Sequence, residues 1–123
     1  MRRGLNSLVA IASGATLSAC HPAITVAGRV TAVSGEPISG AVIDLHNLTG
    51  TSDDNGCFLL YGADALPFEM RIRAQGFEPL QVDVMAGSYQ ALVVLVAPNT
   101  ERDSEVLLSK SRVFPAKPVP GCA

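Results

Sequence analysis

The stretch from Ile24 to Phe58, ITVAGRVTAVSGEPISGAVIDLHNLTGTSDDNGCF, decides how the rest of the chain is read. Its first part alternates, with Ile24, Val26, Val30 and Ala32 on one side and Thr25, Arg29 and Thr31 on the other. That period of two is the mark of a strand with one buried face. Gly28 sits inside the strand, where a glycine marks a bulge or a close approach of another group. Ser34-Gly35-Glu36-Pro37 is a turn, because proline fixes φ and cannot donate to a central ladder. Residues 41–47 form a second strand, Ile43 and Leu45 against Asp44 and His46, and residues 48–56 are read as loop. The loop ends in Asp53-Asp54-Asn55-Gly56, whose Asn-Gly pair supplies the positive φ of a tight reversal. Residues 57–61 then open a third strand, with Phe58 and Leu60 facing one way.

The same grammar continues outward from this core. Residues 68–74 alternate most cleanly, with Phe68, Met70, Ile72 and Ala74 inward and Glu69, Arg71 and Arg73 outward. Gly76 turns the chain, and residues 80–86 alternate again through Leu80, Val82 and Val84. Residues 89–97 contain ALVVLV, apolar on both faces, which predicts a central strand closed by Pro98-Asn99. A seventh strand is expected from residues 106–108 or 112–114. Strands at intervals of about ten residues without a helical period predict an all-β chain, a small antiparallel β-sandwich of about seven strands.

Four clusters carry a family resemblance: Gly28-x-Val30; Gly35-x-Pro37-Ile38-x-Gly40-Ala41-x-Ile43; Ser52-Asp53-x-x-Gly56-x-Phe58; and Ala74-x-Gly76-Phe77-x-Pro79. Together they resemble the carboxypeptidase regulatory-like domain over roughly residues 25–98. The resemblance implies a transthyretin-like (prealbumin-like) sandwich. Ser52 stands where threonine is more usual, and its hydroxyl can make the same local hydrogen bonds. Such domains usually flank a catalytic or transport domain, so the family's adjective says nothing of function here.

The first twenty residues read differently. Arg2 and Arg3 precede a small apolar run, LVAIASGATL, which is the layout of an export signal. Leu17-Ser18-Ala19-Cys20 is similar to the lipobox of bacterial lipoproteins, which implies cleavage before Cys20 and acylation, palmitate included, of its thiol and new amino group. The expected organisation is a signal peptide at 1–19, a lipidated tether at 20–23, the sandwich at 24–98 and a Pro-rich C-terminal extension at 99–123. His21, rather than an aspartate, follows Cys20, which by the same resemblance favours the outer membrane, periplasmic face. Partners are therefore the membrane, through the acyl chains, and an envelope protein. A formal charge of −2 is too near neutral for nucleic acid held by charge.

Chemistry-bearing residues are few. With Cys20 acylated, Cys57 and Cys122 remain as a candidate disulfide in an oxidising compartment, or as two unrelated thiols. Asp53-Asp54-Asn55-Gly56 invites a calcium reading, but an EF-hand alignment puts Thr51 and Gly62 where the first and last acidic ligands belong, so a plain turn is preferred. Asp44 and His46 share a strand face without a third ligand, which makes a solvated face the expectation and a metal site none. Asn47-Leu48-Thr49 matches a glycosylation acceptor only by coincidence in a bacterial chain. No Gly-x-Ser-x-Gly, HExxH or P-loop occurs, so no enzyme activity and no cofactor are expected. The hydroxyisourate hydrolases share the transthyretin-like architecture but end Tyr-Arg-Gly-Ser, whereas this chain ends Pro-Gly-Cys-Ala. Glycan binding would need an aromatic platform, and with no Trp only Tyr61 and Tyr89 are weak candidates. The expected function is a non-enzymatic, lipid-anchored interaction or structural module. A subunit of an envelope secretion or transport machine and a glycan or peptidoglycan binder are the alternatives.

Overall fold

The computed structural model describes residues 23–63 and 68–122, so the expected export signal, Cys20 and the expected tether up to residue 22 lie outside the described residues. Eight strands run through the described residues: β1 (Ala23–Ala32), β2 (Val42–Leu45), β3 (Leu48–Thr51), β4 (Cys57–Ala63), β5 (Phe68–Arg73), β6 (Leu80–Val84), β7 (Gly87–Leu95) and β8 (Glu105–Lys110). They form two four-stranded sheets with orders β4-β1-β7-β8 and β3-β2-β5-β6. The all-β sandwich is the expected class. Its pairings are antiparallel except one, β1 with β7, which run parallel from Ile24↔Gly87 to Ala32↔Leu95. Parallel neighbours need a long crossover, and here the crossover is the entire second sheet together with β4.

Between the sheets lies one core. Ile24, Val26 and Val30 from β1, Ile43 and Leu45 from β2, Phe68, Met70 and Ile72 from β5, and Ala91, Val93 and Leu95 from β7 are all essentially sealed from solvent. Each is every second residue of its strand, which is how a period of two becomes a buried face. Fully burying side chains of this size stabilises by roughly 1.5–3 kcal/mol each. Phe58 lies within the core, and Phe77, half-buried, packs against it.

Two sequence expectations change. β2 stops at Leu45, and His46 turns with a φ of 54°, so it is not a strand residue sharing a face with Asp44. Residues 48–51, expected as loop, form β3, paired to β2 from Val42↔Thr51 to Leu45↔Leu48. A histidine in the left-handed region makes the reversal that an Asn-Gly pair would have announced. A four-residue LTGT strand also offers one apolar residue to read.

Ser52 fastens the loop between β1 and β2. Its Oγ, buried, accepts from Ala41 N–H (2.9 Å) and donates to Ile38 O (2.6 Å).

Candidate functional site

The two outer faces of the sandwich differ in chemistry. On the second sheet, Asp44 accepts from Thr49 Oγ1 (2.9 Å) and pairs with Arg73 (3.3 Å). Gln81 links its neighbours: its Oε1 accepts from Arg71 Nε (3.2 Å), and its Nε2 donates to Glu69 (2.8 Å). This face is a solvated polar network whose members satisfy one another. Asp53 is likewise occupied in its turn, its Oδ1 accepting from Asn55 N–H and Cys57 N–H at 2.9 Å each. Asp54 accepts from Ser39 Oγ (3.2 Å). No group of three or more possible metal ligands occurs among the described residues.

The outer face of the first sheet is covered by the chain's own C-terminal segment. Thr25 is fully buried and Ala27 nearly so, although their neighbours Ile24 and Val26 already fill the core side. β1 is thus buried on both faces. Ser88 marks the entry: its carbonyl accepts from Ser111 N–H (2.8 Å), and its hydroxyl donates to Val113 O. Ala116, buried, donates its N–H to Thr25 Oγ1 (3.3 Å). Gln90 Nε2 donates to Lys117 O (3.0 Å) and Pro118 O (3.3 Å), and Val119 is buried against the sheet. A disulfide from Cys122 to Cys57, with Cα atoms 5.6 Å apart, ends the path on β4. Backbone-to-side-chain bonds and small apolar residues let this Pro-rich segment lie flat without being a strand.

Apolar side chains stay exposed on either side of the covered strip. Leu59 (56%), Tyr61 (62%) and Phe114 (51%) lie toward β4, and the rings of Tyr61 and Phe114 stand 6.1 Å apart. Toward the other edge, Leu92 (46%) of β7 and Leu107 (63%) of β8 are register partners on the outward face. β8 ends the sheet order, so its far side carries no strand among the described residues.

Tyr61 and Tyr89 do not make a shared platform. Tyr61 points outward from β4, whereas Tyr89 occupies a core position at 6% exposure. Odd-numbered residues of β7 face inward and odd-numbered residues of β4 face outward, so the tyrosines lie on opposite sides of one sheet. Cys20, the lipidation candidate, lies outside the described residues. Leu92, Leu107 and Phe114 were not singled out in the sequence. The signal for Leu92 and Leu107 was the second apolar face of ALVVLV and the double leucine of β8.

A family model, the carboxypeptidase regulatory-like domain, matches residues 25–101. No curated protein sequence matches the chain. Among solved structures, a type II cohesin–X-dockerin complex of Acetivibrio cellulolyticus is similar at 14% identity and a TM-score of 0.45, over 71% of this chain and 58% of that one. The 3-chlorocatechol 1,2-dioxygenase of Rhodococcus opacus 1CP is similar at 11% identity and a TM-score of 0.45, over 75% of this chain and 62% of that one. The chain thus spans less than two thirds of either structure. With its turns, its core and the matched segment in agreement, the chain belongs to the carboxypeptidase regulatory-like domain family.

Proposed function

We propose that this protein is a lipid-anchored, non-enzymatic module of the bacterial envelope, held at the periplasmic face of the outer membrane, that binds a protein partner along β8. The observation that carries the binding reading is the pairing of a strand edge without a neighbouring strand among the described residues with two outward leucines, Leu92 and Leu107. A free edge offers backbone N–H and C=O groups to a partner's strand, and adjacent apolar side chains add area that water leaves on binding. Glu105 and Lys110 flank the strand and discourage pairing with an arbitrary edge. The anchor reading rests on the Leu17-Ser18-Ala19-Cys20 tetrapeptide behind a basic, then apolar, N-terminus.

The test is site-specific photocrosslinking in native membranes, with the crosslinker at Leu107 and, as a control, at Gln81 on the polar face. The expected result is one dominant protein adduct at position 107 and none at 81. A partner in fixed ratio would make the protein a subunit of a larger envelope machine. Retention on cell wall with no protein adduct at 107 would overturn the edge-strand reading.

A further inference from the structure

The anchored end of the sandwich has a surface of its own. Ala23 opens β1 three residues after Cys20, and three extended residues reach at most about 11 Å. Whatever holds Cys20 is therefore close to the groups around Ala23. Two of those groups are aromatic: Ala23, Tyr61, Gly62 and Phe114 line one shallow cleft, and Tyr61 and Phe114 are both more than half exposed. Val113, also exposed, precedes Phe114 in the chain, and Lys110 and Arg112 come just before it. The strand register puts Glu69 and Asp83 of the second sheet at this end as well, but gathers more carboxylates at the other. Far from Ala23 stand Glu36, Asp53, Asp54, Glu101, Asp103 and Glu105, all exposed, against Arg73 and Arg102.

From this arrangement we infer that Tyr61 and Phe114 seat the domain on the lipid bilayer itself, at the boundary between headgroups and acyl chains. The inference rests on the lipid-anchor reading given above. Tyr suits that boundary because its ring is apolar and its hydroxyl stays wet, and an exposed Phe beside it gains by leaving water. Lys110 and Arg112 meet anionic headgroups and offset Glu69 and Asp83, while the more acidic far end is repelled from the same surface. A tether this short cannot let the domain turn over freely, so the patch nearest the anchor fixes the orientation. β8 and the polar sheet then face the aqueous compartment, open to a partner.

The chain has no tryptophan, so Phe114→Trp creates a single reporter, and Glu101→Trp a control at the acidic end. Each full-length lipidated variant is reconstituted into phosphatidylethanolamine–phosphatidylglycerol vesicles containing nitroxide-labelled acyl chains. The intact mass of each is measured to establish acylation at Cys20. We expect the emission at position 114 to fall roughly twofold, as for an interfacial aromatic, and that at 101 to be unchanged. With acylation present, no quenching at 114, or equal quenching at both positions, overturns the seat and leaves the anchor standing. An unacylated Cys20 overturns the anchor, and the seat with it.

Discussion

The ring of Phe58 fills the space that a side chain at position 28 would need. A Cβ on Gly28 would lie 2.3 Å from Phe58 Cζ and 2.8 Å from Ala91 O, closer than real contacts allow. The glycine lies on β1 opposite Phe58 of β4 and beside Ala91 of β7, so three strands converge on one absent side chain. Gly28→Ala should therefore destabilise the fold by about 1–3 kcal/mol, the usual cost of overpacking. Denaturant titration measures it. A double variant with Phe58→Leu should recover part of the loss, and additive costs would show that the two residues do not share the space.

Ser52 makes a second small-residue test. Ser52→Ala would leave Ala41 N–H and Ile38 O without their buried partner. An unsatisfied buried polar group costs about 1–3 kcal/mol. The expected result is a lower midpoint in urea at an unchanged slope. Wild-type stability would mean that water takes over both bonds.

The Cys57–Cys122 bond closes a separation of 65 residues. In the chain-entropy account a loop of that length contributes about 4 kcal/mol. Reductant, or Cys122→Ser, should lower stability by up to that amount. It should also speed hydrogen exchange at Ala116 N–H, whose partner is Thr25, before the core strands exchange. Alkylation without reductant should leave both cysteines unlabelled, and two labelled thiols would count against the bond.

The anchor is tested at one atom. Cys20→Ala should move the protein from the membrane fraction to the soluble one, because no acyl chain can then be attached. Among the described residues no helix is long and apolar enough to cross a membrane. Persistence of the variant in the membrane fraction would refute lipidation as the means of attachment.

Much of this protein was legible along the chain because its determinants are local. Phe68, Met70 and Ile72 alternate with charged residues, and that pattern admits only one buried face. The Asp53 turn could be read as a turn because its side chain bonds its own backbone two and four residues on. β3 was missed for the complementary reason: its reversal uses His46 at positive φ, and its stability comes from pairing with β2.

Tertiary structure alone decided the rest. The parallel pairing of β1 with β7 joins segments separated by the whole second sheet, and no local pattern encodes a neighbour that distant. Nothing near Thr25 predicts that it is fully buried, since its cover arrives from Ala116, 91 residues later. The same return of the chain over the sheet brings Phe114 to Tyr61, while packing of the second sheet against the inner face of β7 buries Tyr89. Period and turn chemistry set which residues of a strand can be buried. Which faces are then covered, and which stay exposed, depends on contacts between residues far apart in sequence.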